Sequence, residues 1–312
     1  MVKLLTKCAL FFAINAMLAT LVLYAHSATL TDKPWETDSV LLTMPQGEHP
    51  NLVFLGTSHT YLFSRFKEHH EMVEATLNRS MFNMALPQGG GITPARFYLE
   101  TFWESGNTTD QVIYFLDPFV LYSAGANDNH KFVYFEPLRL SFLAKLVRNG
   151  YSYRRIITYV RSKFGAPWLF QKPEPLYHHI APVPERFVTE ARKNHRLDTL
   201  YPDGLPADVF ATYTAEFERI VDLCEVHDTP LMVVIPPTLL GHEPGHASMM
   251  TWLESLKEER GIALFDWVDV MPDRTKFYNL DHMNLGGIET FMKEWLRPAL
   301  DGVTNRRSGI PA

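Results

Sequence analysis

Two short segments, far apart in the chain, carry side chains that could make and break an ester. Phe54-Leu55-Gly56-Thr57-Ser58-His59-Thr60 puts a serine just past an apolar run and a glycine, where a strand gives way to a helix. Asp281-His282-Met283-Asn284-Leu285-Gly286-Gly287 supplies a histidine in a polar turn ahead of the last helix. A serine hydroxyl is a poor nucleophile until an imidazole takes its proton, so Ser58 and His282 on facing loops of one sheet form a workable pair. The blander assignments are a helix N-cap for Ser58 and a turn residue for His282. His59 adjoins Ser58 and so points elsewhere, as a surface or pocket-lining residue.

The pair can meet only if the intervening chain builds a sheet with both loops on one edge. The pattern predicts strands at Asn51–Gly56, Met81–Leu86, Val112–Leu116, Leu231–Ile235 and Ala263–Trp267. It predicts helices at Phe66–Asn78, Thr93–Glu104, Ala207–His227, Ala247–Glu259 and Ile288–Leu296. Uninterrupted apolar strands alternating with amphipathic helices indicate an α/β fold, three layers with a five-stranded, mostly parallel sheet. Loops after parallel strands share one edge, where such folds place their chemistry.

Between Leu121 and Leu205 the alternation stops, so residues 121–205 read as a partly helical, aromatic insertion in an α/β domain spanning 50–300. From Lys131 to Arg196 there are 13 Lys and Arg against 4 Asp and Glu, whereas the rest of the chain has 16 against 31. This basic segment is either a cap over the active edge or a surface for anionic lipid or glycan. The overall net charge of −6 gives no general reason to expect a nucleic-acid partner.

Residues 1–28 have Lys3 and Lys7 ahead of an uncharged run from Cys8 to Tyr24, followed by the small residues of Ala25-His26-Ser27-Ala28. They form a cleaved export signal or a retained anchor in the cytoplasmic membrane. In either case the body is exported, to the periplasm or the outer face of that membrane. Residues 29–49 read as an irregular connector and 301–312 as a flexible tail. Cys8 and Cys224 are expected to be unpaired, so the fold rests on its core.

On these blocks the chain resembles the SGNH/GDSL hydrolase superfamily. It is most similar to divergent membrane-anchored members from envelope and exopolysaccharide gene clusters. These include relatives of the D-alanyl transfer protein of teichoic acid synthesis and of polysaccharide O-acetyltransferases. The resemblance covers residues 51–120 and 207–300 and implies a flavodoxin-like strand order. Gly56-Thr57-Ser58 stands where the family has Gly-Asp-Ser, which implies Ser58 as nucleophile. Asn83-Met84-Ala85-Leu86-Pro87-Gln88-Gly89-Gly90 matches an Asn-x-x-x-x-Gly segment. There the N–H of Gly89, or of Gly90, would join that of Ser58 around the oxyanion, unless the glycines serve only to turn the loop.

Two blocks depart from the pattern. Where the family has an oxyanion-binding asparagine, this chain has Asp117, followed by Pro118. An ionised Asp117 would repel a developing negative charge, so it is protonated, turned away or engaged with the basic insertion. It is a pocket candidate, with a strand-ending turn as the alternative. The family's aspartate three residues before the histidine is Asn279, and Asp281 would need an unusual turn to reach the ring. That leaves an Asn279-assisted triad, a Ser-His dyad, or Asp281 as orienting residue. Asn284, from the family's His-Leu-Asn-x-x-Gly, is a further pocket candidate.

The resemblance implies an acyl-enzyme mechanism with no cofactor. An acyl ester on a glycan or lipid would pass its acyl group to water or to a sugar hydroxyl, with a membrane acyltransferase as a partner. The other class of function is a non-catalytic assembly or scaffold protein of a polysaccharide complex. His242-Glu243-Pro244-Gly245-His246 fits the zincin pattern in letters only. Pro244 and Gly245 disfavour the helix that would align both rings, and no third ligand stands out, so no metal is expected. His69-His70 and His178-His179 read as surface residues.

Overall fold

The computed structural model describes residues 2–30, 33, 35–86, 90–128, 131–163 and 180–308. In chain order the first half runs α1 (Val2–Ala28), α2 (Val40–Thr43), β1 (Leu52–Leu55), α3 (Ser58–Tyr61), α4 (Lys67–Leu77), β2 (Met81–Asn83), α5 (Ile92–Glu104) and β3 (Gln111–Phe115). Then come α6 (Ala124–Asn127), α7 (Lys131–Tyr134), α8 (Leu140–Arg148), α9 (Tyr153–Ser162), α10 (Glu190–Leu200) and α11 (Ala207–Val226). The chain finishes with β4 (Leu231–Ile235), α12 (His246–Arg260), β5 (Ala263–Asp266), α13 (Leu285–Phe291) and α14 (Arg297–Ser308).

The strands form one sheet in the order β2-β1-β3-β4-β5, with every pair parallel. Helices cover both faces, giving a three-layer α/β/α fold. β1, β3 and β4 are buried throughout, as apolar central strands of a parallel sheet must be, and the edge strand β5 is half-exposed. The order reverses at β1, between β2 and β3, and the crevice beyond the strand ends there is where open parallel sheets bind ligands.

One aromatic cluster fixes that crevice from below. Phe54 of β1, Phe115 of β3 and Phe63, just after α3, pack edge to face with centroids 5.1–6.2 Å apart. Phe291 of α13 closes the group, 6.3 Å from Phe115. The turn carrying Ser58 and the helix following His282 thus share one core. On the other face Tyr114 meets Phe217 of α11, which meets Trp252 of α12.

The chain divides into two compact units, Met1–Met44 with Val133–Lys172, and Pro45–Phe132 with Pro173–Ala312. The second holds the sheet. In the first, α1 is an exposed apolar helix long enough to cross a membrane. There Glu136 is buried and accepts from Ser39 Oγ and the Val40 and Leu41 amides at 2.6, 3.1 and 3.0 Å. Its carboxylate satisfies the open N-terminus of α2. The Phe142 and Tyr159 rings join α8 to α9 at 5.0 Å.

Three expectations change. The connector contains α2, whose Val40, Leu41 and Leu42 are buried. Residues 121–205 are not one body: among the described residues, 133–163 cluster with the N-terminal residues, whereas 121–128, 131–132 and 180–205 join the sheet unit. Residues 301–308 continue a helix rather than forming a tail, because α13 runs through a π-helical turn, Met292–Leu296, into α14, whose Leu300 is fully buried.

Candidate active site

The turn after β1 is built for close approach. Gly56 has φ +152°, and a Cβ there would lie 2.3 Å from Thr60 Oγ1 and 2.8 Å from the Phe115 carbonyl oxygen. Only glycine lets β1 and β3 converge while the chain turns into α3. Thr57 caps α3, and its hydroxyl donates to the Asp117 carboxylate. Asn83, at the end of β2, donates to the Thr60 carbonyl at 2.7 Å and accepts from the Ala85 amide at 3.0 Å. This ties the turn carrying Ser58 to the loop after β2. Gly90, in that loop, packs against the Gly56 carbonyl, which a Cβ would approach to 3.0 Å. Gly89 lies outside the described residues.

His282 sits on a short hairpin. Phe277 and Met283 pair as an antiparallel bridge, and the Tyr278 amide donates to the His282 carbonyl at 3.1 Å. Asn279 makes the turn: its Oδ1 accepts from the amides of Asp281 at 3.0 Å and His282 at 2.7 Å. That turn swings Asp281 onto the ring, with Oδ1 3.0 Å from His282 Nδ1, while Asn279 Oδ1 lies 3.2 Å from the same nitrogen. With two amides already on Asn279, the carboxylate is the stronger acceptor and holds the proton on Nδ1. The Nε2 lone pair then faces the Ser58 hydroxyl at 2.9 Å, 224 residues away in sequence. Asn284 does not reach the pocket. Its Oδ1 caps α13 through the Gly287 amide at 3.0 Å, and its Nδ2 donates to the Thr275 carbonyl at 2.7 Å.

Behind this pair lies a row of alternating charges, buried up to the half-exposed Arg196 at its end. Asp117, on the loop after β3, accepts from His59 Nδ1 at 2.5 Å. His59 Nε2 faces Asp281 Oδ2 at 3.5 Å, and Arg196 of α10 donates to that oxygen from Nε at 2.7 Å. His59 is therefore no surface residue. Asp117 is engaged by His59 and Thr57, and among the described residues no cation of the basic segment is bonded to it. Burial opposes a charge on His59, but the charge and hydrogen bond of Asp117, with Asp281 behind them, raise its pKa to about 10. Asp281 goes well below the usual carboxylate range: burial resists, and His282 and His59 prevail. His282 is lowered, chiefly by burial; Asp281 opposes, and the nearby positive charge of His59 reinforces. A neutral base beside a fixed cation results, with the two rings 4.3 Å apart edge to face.

Spacing gave no hint of Arg196, because an arginine in a basic helix carries no mark of its partner. The same holds for buried Glu243, which accepts from the Tyr201 hydroxyl at 2.9 Å and lines a small cavity with His59 and Asp117. Burial, then the Asp117 charge, push Glu243 up to about 7. Outside the zincin-like segment, a third donor does lie beside its histidines. Asp266, at the end of β5, has Oδ2 3.1 Å from His246 Nε2. The His242 and His246 rings are stacked 4.4 Å apart and nearly parallel, so one ring must turn before both lone pairs could meet one ion. His69 is buried and bonded to the Leu62 carbonyl at 2.7 Å, not on the surface; His178-His179 lie outside the described residues.

No protein-family model matches this chain, and no curated protein matches it. The site is thus defined by its own geometry. A hydroxyl, a neutral imidazole and a buried carboxylate stand in hydrogen-bonded sequence at the switch point of a parallel sheet. Such an array can deprotonate a serine as it attacks a carbonyl and then protonate a leaving alcohol.

Proposed function

We propose that this chain is an exported, membrane-tethered serine ester hydrolase or O-acyltransferase acting on an acylated envelope glycan or lipid-linked substrate. The observation that carries the reading is the 2.9 Å contact between Ser58 Oγ and His282 Nε2, with Asp281 on the far ring nitrogen. Ser58 Oγ bonds to the ester carbonyl carbon while its proton moves to His282 Nε2. The tetrahedral centre then collapses, His282 returns the proton to the departing alcohol oxygen, and an acyl-Ser58 remains. Water, or a sugar hydroxyl, repeats the steps in reverse and frees the serine. The resemblance of the Ser58, Asn83 and His282 blocks to SGNH/GDSL enzymes supports the same chemistry, and the apolar helix α1 supports tethering.

One observation favours a second reading, a non-catalytic assembly or scaffold protein. Asp117 occupies the position of the family's oxyanion amide, and its carboxylate, bonded to His59 and Thr57, offers no donor there. A fluorophosphonate probe separates the two. Labelling of the wild type but not of Ser58→Ala supports the enzyme. A folded wild type that stays unlabelled leaves the scaffold.

A further inference from the structure

We infer that the segment Val133–Lys163 is a membrane-surface platform that lays α8 and α9 on the anionic headgroups of the bilayer that α1 enters. The inference rests on reading α1 as a retained anchor and is independent of the ester chemistry. Between 133 and 163 seven Lys and Arg accompany one acidic residue, Glu136, which is consumed in capping α2. Lys145 is buried and Arg139 and Lys163 donate to backbone carbonyls, which leaves Arg148, Arg154, Arg155 and Arg161 for a surface. The inner faces of the two helices are spent on each other, through Phe142 and Tyr159. Their outer stripes mix apolar and cationic side chains. On α8, Leu140, Val147 and Arg148 recur at helical spacing, with Leu140 77% and Val147 58% exposed. On α9, Tyr153 is 75% exposed, beside exposed Arg154 and Arg161. Large apolar groups flanked by arginines fit the boundary between acyl chains and phosphates, where each finds its own solvent.

Chain connectivity says which surface. α1 has 27 residues. At about 1.5 Å per residue it crosses a hydrocarbon core of about 30 Å and emerges among the headgroups. Ten residues, 29–38, then separate its end from Ser39, which is already bonded to Glu136 at the root of the platform. Ten residues reach at most about 36 Å fully extended. The turns closing Lys33 N on the Leu30 carbonyl and Glu36 N on the Lys33 carbonyl shorten that reach. The basic helices are therefore held within a short tether of the bilayer, at a high effective concentration.

The test uses the full-length chain, with Cys8→Ser and Cys224→Ala removing the native thiols, in nanodiscs of phosphatidylcholine with or without phosphatidylglycerol. An environment-sensitive fluorophore on Val147→Cys should shift to the blue and be quenched by nitroxide-bearing lipid in the anionic discs. The same label on Glu258→Cys of α12 should remain in water. Each cation near an anionic surface is worth roughly a five-fold change in partitioning. Neutralising Arg148, Arg154 and Arg161 would thus lower the docked-to-free ratio by about a hundred-fold, and reversing them to Glu should lower it by more than that, with far-UV dichroism and melting unchanged. The proposal falls if the Val147 label stays in water in both lipids, or is protected equally in both and indifferent to the reversals. Protection only on adding an anionic polysaccharide would also overturn it and point to glycan. Intact mass of the membrane-extracted protein checks the anchor separately: a chain lacking α1 would sink the inference through its tether, whatever the fluorophosphonate result.

Discussion

Replacing His59 by glutamine should make His282 a stronger base. The two rings lie 4.3 Å apart, and the pKa of about 10 for His59 keeps it cationic at neutral pH. A unit charge at that distance acts on a second with about 4 kcal/mol at an effective dielectric constant of ~20, nearly three pK units. Asp281 and Arg196 stay in place and readjust, so we expect roughly half of that, a rise of about 1.5 units in the His282 midpoint. Glutamine keeps a donor for Asp117, which limits the structural damage. Histidine ring titration by NMR reads the shift directly, with His282→Gln to identify the resonance. The acid limb of kcat/KM on p-nitrophenyl acetate should move up with it. Arg196→Gln should move the same midpoint in the same direction by less, since Arg196 touches Asp281 rather than the ring. A midpoint that stays put or falls in His59→Gln would refute the electrostatic argument.

Asp281→Asn should lower kcat by about 10³- to 10⁴-fold, because an amide no longer fixes the Nδ1 proton or offsets the imidazolium. Asn279→Ala removes the turn bonds and the 3.2 Å contact with His282 Nδ1 but keeps the Asp281 carboxylate, so kcat should fall less, and differential scanning calorimetry should show a lower Tm by a few degrees. Stability should also decline with alkali. His59 is raised when folded, so its contribution is complete below about 6.5, its unfolded value, and is lost as pH climbs through about 10. The urea midpoint should therefore drop between pH 7 and 10, and His59→Gln should flatten that slope. Gly56→Ala should cost about 4 kcal/mol or more, because its Cβ would meet Phe115 backbone at 2.8 Å, and soluble expression or urea unfolding will show it.

The elements whose evidence is local were readable. β4 begins at Leu231 and ends at Ile235, as expected, because a β-branched run stopped by Pro236-Pro237 leaves no other register. The Ser58–His282 contact follows from topology: parallel strands bring every following loop to one edge, so two loop residues could be paired without coordinates. What was not readable depends on side chains acting at a distance. Asp281 reaches the ring only because Asn279 folds the backbone beneath it, a hydrogen-bond pattern that spacing alone does not encode. Arg196 meets its carboxylate across 85 positions. α14 lies beyond the last helix that the pattern predicts, Ile288–Leu296, and buried Leu300 gives it its hold.

Asp117 and His59 neutralise one another out of reach of water, and each keeps one further contact, Thr57 for Asp117 and Asp281 for His59. A lone change that removes both charge and hydrogen-bonding capacity at either position leaves the other ion with weaker company in the interior, at a cost in stability. As sequences with this arrangement accumulate, positions 59 and 117 should therefore be found to vary together. A histidine retained opposite a neutral residue at 117 would mark a protein that has solved the problem another way.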